Sequence, residues 1–237
     1  MRLEYRRAET GLMMEIDYPE NYKKGDSFPS IFWVYGGGWL KGNIEMLDAY
    51  CERYLKQGYI FIRPQYRVGY INNTNVSDCV EDVVKAFRYL LDNAENLGVD
   101  TTRLIGAGIS AGGHLAAMLE CGDYGFSGTF KAMMFYSPVL DTSPEGYENK
   151  RVGSSWREIS PLHNFKNSFP PFMICAADTD QAVPFKGTEE FCKKAEKAGI
   201  KHMLKIFHGE NHGLSLNPES QPRMMEYFDE FLRNMKI

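Results

Sequence analysis

The sequence predicts an α/β fold, in which a mostly parallel central sheet is covered by helices on both faces. Short apolar segments of strand length alternate along the chain with segments of helical periodicity. Neither an internal repeat nor a low-complexity linker interrupts this alternation. A length of 237 residues suits one compact domain of this type. We therefore expect a single domain over residues 1–237.

The first half of the chain is predicted to contain a hairpin, two buried strands and a long helix. The hairpin runs from LEYRRAE through a turn near Thr10-Gly11 to LMMEIDY. The segments SIFWVY and GYIFIRP are then expected as apolar strands. A helix is expected over residues 77–97, with Ser77 as its N-cap, because apolar residues recur there at helical spacing.

The second half is predicted to continue the alternation to the end of the chain. A strand, RLIGAG, leads directly into a helix, SAGGHLAAMLE, and three further strands follow as KAMMFYS, PFMICAA and HMLKIF. From Glu219 onward we expect an amphipathic helix. Its apolar side would comprise Met224, Met225, Phe228 and Phe231. In a parallel sheet of this kind the active site lies at the carboxyl ends of the strands.

Composition argues against several other classes of protein. The net charge of -4, from 27 basic and 31 acidic residues without a long run of one sign, disfavours nucleic acid and anionic membranes as partners. The five cysteines are scattered without a CxxC pair, so neither a disulfide framework nor a zinc site is indicated. The N-terminal segment MRLEYRRAETGLMMEID has no apolar core of signal-peptide length, and no apolar run is long enough to span a membrane. We expect a cytoplasmic protein, although a leader cleaved from the chain would leave no trace here.

The strongest functional signal is the segment GISAG, centred on Ser110, between a predicted strand and a predicted helix. A nucleophilic serine on such a sharp turn needs small neighbours, and its hydroxyl then projects above the sheet. The amides that begin the following helix point toward developing negative charge. An ordinary glycine-rich turn is the alternative, but the strand and helix on either side favour a nucleophile.

A second glycine-rich segment, YGGGW, follows the predicted strand SIFWVY. Glycines let the backbone approach a ligand closely. A pair of N–H groups here could join the amide of Ala111 to form an oxyanion hole, the set of donors that stabilises a tetrahedral intermediate. Taken alone, the segment is more typical of a flexible turn. Its position at the end of a strand, upstream of Ser110, favours the oxyanion role.

An acid and a base are predicted at the ends of two later strands. Asp180 follows PFMICAA and His212 follows HMLKIF, which completes the chain order serine, acid, histidine. Asp178 remains a rival for the acid, its alternative role being to stabilise a turn. His208 is the competitor for the base, but it follows its strand immediately, whereas His212 lies farther along the loop.

This ordered set of motifs resembles the α/β-hydrolase superfamily. The similarity runs from about Leu12 to the C-terminus and is greatest to the esterase and lipase branch with an HGGGW-type motif and a GxSAGG elbow, which includes hormone-sensitive-lipase-like, acetyl- and feruloyl-esterases. The resemblance implies an α/β-hydrolase fold with a small or absent cap. Tyr35 stands where the family usually has histidine. The implied site comprises Ser110 as nucleophile, Asp180 as acid, His212 as base and the amides of Gly37, Gly38 and Ala111 as the oxyanion hole.

The predicted function is hydrolysis of small or short-chain acyl esters, carbohydrate acetyl esters among them, without a metal or other cofactor. Residues 141–170 are the only stretch long enough for a small cap, so we expect an open pocket. Four aromatic residues could line it or merely pack in the core: Trp39, Tyr136, Trp156 and Phe165. The expected partner is a small-molecule ester, and a homo-oligomer remains open. A peptidase or amidase on the same triad, or a non-catalytic ligand-binding homologue, are the alternatives.

Overall fold

The structure is a computed structural model that describes residues 1–6 and 11–237. Its strands, in chain order, are β1 (Arg2–Arg6), β2 (Leu12–Asp17), β3 (Phe28–Val34), β4 (Ile60–Pro64), β5 (Val99–Ile109), β6 (Ala132–Tyr136), β7 (Phe172–Ala177) and β8 (His202–Phe207). They form one sheet in the order β1-β2-β4-β3-β5-β6-β7-β8. β1 and β2 pair antiparallel, as do β2 and β4, and the remaining pairs are parallel. The predicted mostly parallel sheet is confirmed.

The helices are α1 (Asp48–Lys56), α2 (Gly69–Asn72), α3 (Val76–Asp92), α4 (Ala111–Cys121), α5 (Asn149–Val152), α6 (Trp156–Ile159), α7 (Phe185–Lys197) and α8 (Ser220–Met235). Short 3₁₀ turns cover Ile44–Leu47, Gly153–Ser155 and His212–Leu216.

Helices cover both faces of the sheet, as two neighbouring residues of β3 demonstrate. The Phe32 ring packs edge-on against Phe87 of α3, with centroids 5.2 Å apart. The Trp33 ring packs instead against Tyr50 of α1 at 4.7 Å. Because successive side chains of a strand point to opposite faces, α1 and α3 lie on opposite sides of the sheet. The large apolar residues of both layers are buried, which builds the core around β3 and its neighbours.

The start of α3 differs from the expectation. Asn75, not Ser77, caps this helix: its side chain accepts a hydrogen bond from the Asp78 amide at 2.9 Å. The Asp78 carboxylate accepts one in return from the Asn75 amide at 3.0 Å. This reciprocal capping box satisfies two amides that a helix leaves without partners, so the helix begins at Val76 and Ser77 lies inside it.

The predicted hairpin is present as the antiparallel pair β1 and β2. The turn expected near Thr10-Gly11 falls partly on residues 7–10, which lie outside the described residues. The C-terminal helix also agrees with the sequence pattern, because all four of its predicted apolar residues are buried: Met224, Met225, Phe228 and Phe231.

Residues 141–170, the predicted cap, contain α5, α6 and the short turn between them. This segment is tied to the elbow helix α4, where the buried His114 Nε2 donates to the Ile159 carbonyl at 2.6 Å. Burial lowers the pKa of His114 to about 4, so the ring is neutral near pH 7. Within residues 1–6 and 11–237, none of the helices is long and apolar enough to cross a membrane. That the whole chain is a single domain stays a prediction.

Candidate active site

Ser110 lies on the turn between β5 and α4, in a backbone conformation that few serines adopt. Its φ is 54° and its ψ is -119°. The turn is possible because the flanking residues are glycines. A Cβ on Gly112 would overlap the carbonyl groups of Val34 and Tyr35, and a Cβ on Gly108 would overlap Gly112 itself. The GxSxG pattern is therefore a steric requirement of this turn.

Ser110, His212 and Asp180 form a continuous chain of hydrogen bonds. The Ser110 Oγ is 2.8 Å from His212 Nε2, and His212 Nδ1 is 2.7 Å from an Asp180 oxygen. The other Asp180 oxygen accepts the amides of Ala182 and Val183 at 2.8 and 2.9 Å. Burial raises the pKa of Asp180, but the hydrogen bonds from His212 and these amides outweigh it and hold the pKa below its ordinary value.

The ionised carboxylate determines the tautomer of the imidazole. A carboxylate can only accept hydrogen bonds, so His212 Nδ1 carries the hydrogen and donates it to Asp180. His212 Nε2 is then free to accept the hydroxyl proton of Ser110. The Asp180 side chain is only 3% exposed, which shields this interaction from water. The arrangement can generate a nucleophilic serine.

The two rivals, Asp178 and His208, form a separate pair with each other. His208 Nδ1 is 2.7 Å from an Asp178 oxygen, and the Gly209 amide donates to the other at 2.8 Å. The His208 side chain is 78% exposed. The pair therefore bridges the loops that follow β7 and β8, outside the contact between Ser110 and His212.

Further hydrogen bonds join these two loops. Thr179 Oγ1 donates to the Glu210 carbonyl, and the Gln181 amide donates to Asn211 Oδ1 at 3.1 Å. Together with the bonds made by the two aspartates, they link residues 178–181 to residues 208–212. The loops that carry the acid and the base are thus held to one another.

The glycine loop is supported by two stacked tyrosines. The rings of Tyr35 and Tyr66 are 4.4 Å apart and nearly parallel. The Tyr35 hydroxyl donates to the Tyr66 carbonyl at 3.1 Å, while the Tyr66 hydroxyl donates to the Tyr35 carbonyl at 3.0 Å. Tyr35, which replaces the histidine usual in the family, therefore anchors the start of the loop through its own hydroxyl.

Glycine is needed in this loop on steric grounds. The φ angles of Gly37 and Gly38 are 121° and 63°, both in the region that favours glycine. A Cβ on Gly36 would come within 2.9 Å of the Ile109 carbonyl oxygen, which lies next to Ser110 in the chain. The loop thus packs directly against the elbow. This closeness is what an oxyanion site shared between the loop and Ala111 requires.

Gly37→Ala is expected to lower kcat for p-nitrophenyl acetate by roughly 10²-fold, comparable to the loss of one oxyanion donor. The new Cβ would overlap the Lys41 carbonyl oxygen, so the loop must move. Gly25→Ala is the matched control, because Gly25 has a φ of 99° but open space around it. Unchanged kcat in Gly37→Ala would exclude the loop from the transition state.

Ser110 lines a cavity of about 420 Å³. The cavity is bounded by the glycine loop, the loop before α1, the α2 segment, the cap and the turn that begins at His212. Among its lining residues are Leu40, Lys41, Met46, Tyr50, Tyr70, Tyr136, Ser137, Tyr147, Glu148, Arg151 and Leu216. In the described part of the chain, no group of three or more histidine, cysteine, aspartate or glutamate side chains is placed to hold a metal ion.

Of the four aromatic residues predicted for the pocket, Tyr136 lines the cavity and the other three do not. Trp39 is 1% exposed and packs edge-on against a histidine of α4. Trp156 packs against His163, and Phe165 packs against Phe191. These three rings pack against other side chains and do not line the cavity.

Sequence reasoning missed the lining residues outside the motifs. Tyr147, Glu148 and Arg151 belong to the predicted cap, so the position of that insertion is the sequence feature from which their place in the cavity wall could have been predicted. Tyr70 lies in the short helix α2 and Leu216 at the end of the 3₁₀ turn after His212, and neither belongs to a residue pattern that predicts a pocket. Only the folded chain brings them to the cavity.

Solved structures with this architecture include an esterase, Est2, of Thermogutta terrifontis. The native enzyme superposes with a TM-score of 0.91 at 30% identity, covering 99% of this chain and 92% of that chain. The same esterase phosphonylated by sarin superposes with a TM-score of 0.92 at 28% identity, covering 99% and 94%. Fold and site together define a serine hydrolase of the α/β-hydrolase class, in its esterase and lipase branch.

The chain belongs to the BD-FAE family, whose profile matches residues 14–136. An AB hydrolase superfamily protein of Schizosaccharomyces pombe is 24% identical over 243 residues, covering 87% of this chain and 69% of that protein. A probable dipeptidyl-peptidase 5 of Emericella nidulans is also 24% identical, over 232 residues and 86% of this chain. The chain spans only 31% of that peptidase.

Proposed function

We propose that this carboxylesterase hydrolyses small or short-chain acyl esters through Ser110, His212 and Asp180. The hydrogen-bonded chain from the Ser110 hydroxyl to the buried Asp180 carboxylate carries the proposal. It supplies a nucleophile, a base in contact with that nucleophile, and a group that orients the base. The esterase fold of the Thermogutta terrifontis enzyme supports the same reaction class.

In the first half-reaction the Ser110 oxygen attacks the ester carbonyl while His212 Nε2 accepts its proton. Asp180 holds the imidazole in the required tautomer and stabilises its positive charge. The C–O bond to the alcohol then breaks, and the alcohol leaves with the proton from His212 Nε2. The acyl group remains on Ser110 as an ester.

In the second half-reaction His212 Nε2 accepts a proton from water, which attacks the acyl carbonyl. The bond between the acyl carbon and the Ser110 oxygen then breaks, and His212 returns the proton to that oxygen as the acid leaves. Both tetrahedral intermediates carry a negative oxygen. We assign its stabilisation to the amides of Gly37, Gly38 and Ala111, each worth about 3 kcal/mol of barrier in comparable sites. The reaction as written needs no cofactor.

The shape of the cavity supports a short acyl group. Tyr50 and Tyr136 line it and are almost completely buried, so two large, closely packed rings form part of its wall. The cap consists of two helices of four residues each, α5 and α6, rather than a long helical lid. Carbohydrate acetyl esters are one group of substrates with a sufficiently short acyl chain.

A series of p-nitrophenyl esters from acetate to dodecanoate tests the proposal, because the leaving group is constant. We expect kcat/KM to be highest for chains of two to four carbons and to fall with longer ones. A preference for long chains would contradict the short acyl pocket. The matched anilide, p-nitroacetanilide, tests the amidase alternative: turnover comparable to the ester would favour it.

A further inference from the structure

Large apolar side chains that are exposed to solvent concentrate at the mouth of the cavity. In the described part of the chain, the strongly exposed ones are Met1, Met46, Tyr70, Ile71, Ile206 and Leu216. Met46, Tyr70 and Leu216 line the cavity, and Ile71 follows Tyr70. The exposed fractions of Tyr70, Ile71 and Leu216 are 74%, 79% and 78%. Clustered exposed apolar surface usually marks a binding surface, and this one is continuous with the nucleophile.

The backbone holds these side chains in place beside the reacting groups. The amide of Gly69 donates to the Trp39 carbonyl at 2.8 Å, and the amide of Tyr70 donates to the Leu40 carbonyl at 3.0 Å. The α2 segment is thereby fastened to the glycine loop while its side chains face solvent. Leu216 ends the 3₁₀ turn that begins with His212. Both loops that flank the Ser110 hydroxyl thus present an exposed apolar residue.

We propose that Met46, Tyr70, Ile71 and Leu216 form an apolar rim that binds the alcohol half of the substrate. The preferred alcohol is then an alkyl or aryl group rather than a sugar. This inference rests on the proposed function, because it assigns the two halves of the ester to different surfaces.

The position of His212 determines which half of the ester meets the rim. His212 Nε2 must reach the oxygen of the departing alcohol to protonate it. The alcohol half therefore lies beside the turn that starts at His212 and ends at Leu216. The acyl half, bonded to the Ser110 oxygen, remains inside the cavity.

Two charged side chains that the cap contributes to the cavity, Arg151 and Glu148, are already engaged within the protein. Arg151 Nη1 donates to the Gly38 carbonyl at 3.2 Å, and Arg151 Nη2 lies 3.4 Å from a Glu148 oxygen. A sugar needs several polar partners to replace its hydration. An apolar alcohol needs only the surface that the rim offers.

The test compares acetate esters of ethanol, propanol, butanol, pentanol and hexanol, whose alcohols have nearly equal reactivity as leaving groups. We expect kcat/KM to rise about 2-fold per methylene, roughly half of the effect of complete burial. Tyr70→Ser and Leu216→Ser are each expected to flatten this slope. Ile206→Ser is the matched control, because it removes an exposed apolar side chain that does not line the cavity, and it should retain the slope.

Two further measurements separate the failure of this inference from that of the proposed function. Ethyl esters of lengthening acids should not show the rise; a rise on the acyl side alone overturns the assignment of halves. In Ser110→Ala protein, calorimetry should show hexyl acetate binding roughly 15-fold more tightly than ethyl acetate, whether or not the enzyme turns over esters. Equal binding of the two esters overturns the rim. The rim is also overturned if Tyr70→Ser or Leu216→Ser changes the oligomeric state or the binding of vesicles but leaves the dependence of kcat/KM on alcohol length unchanged.

Discussion

Ser110→Ala is expected to lower kcat for p-nitrophenyl acetate by roughly four to six orders of magnitude. The variant removes the oxygen that forms the acyl-enzyme bond, so only the much slower direct attack of water on the ester remains. The fold should persist, since alanine is smaller and meets no new atoms. Thermal unfolding followed by circular dichroism would check this.

Covalent labelling gives a second readout for Ser110. A fluorophosphonate probe should modify the wild-type chain once and leave Ser110→Ala unmodified, as intact-mass spectrometry would show. Ser30→Ala is a suitable control, because Ser30 is a fully buried serine on β3 that does not line the cavity. Labelling of the Ser110→Ala variant at the wild-type rate, or retention of its activity, would refute the proposed nucleophile.

The second large effect is expected at the acid. Asp180→Asn should lower kcat by about 10⁴-fold, because an amide beside His212 Nδ1 can hold the imidazole in the wrong tautomer and cannot stabilise its positive charge. Asp178→Asn is the matched control, with the same chemical change two residues away. Its partner His208 is exposed and does not contact Ser110, so we expect a loss below about tenfold.

Steady-state kinetics of the two asparagine variants, measured near neutral pH with one ester, decide between the carboxylates. Thermal unfolding of both proteins separates a catalytic loss from a folding defect, since Asp180 also accepts two backbone amides. Similar losses in both variants would indicate that the linked loops act as a unit. A larger loss in Asp178→Asn would reverse the proposed assignment.

The strands, the helices α3, α4 and α8, and the elbow were predictable because their requirements are local. Strand and helix segments have different apolar periods, and these can be read from a few neighbouring residues. The elbow needs glycine at 108 and 112 because the chain passes within contact distance of itself there. The N-terminus of α3 could not be located from local sequence alone. Asn75 and Ser77 are both residue types that cap helices, and the backbone geometry shows that Asn75 is the N-cap.

The choice between the two aspartates could not be made from spacing. Asp178 and Asp180 follow the same strand, and each finds a histidine on the loop after β8. The hydrogen bonds between the two loops direct Asp180 inward to His212 and Asp178 outward to His208. The catalytic roles of these residues remain proposals that the variants above test.

Sequence by itself determined the alternation that builds the parallel sheet, the glycines of the two tight turns and the chain order of the candidate triad. The alternation and the glycines depend on periodic and steric constraints among residues close together in the chain, and the order of the triad is read directly from the positions of its three motifs. Tertiary structure alone decided which aromatic rings face the cavity and which residues form its rim. Which side chains line the cavity depends on how loops distant in sequence pack together. Trp39 is therefore buried, whereas Tyr70 is exposed at the entrance of the cavity.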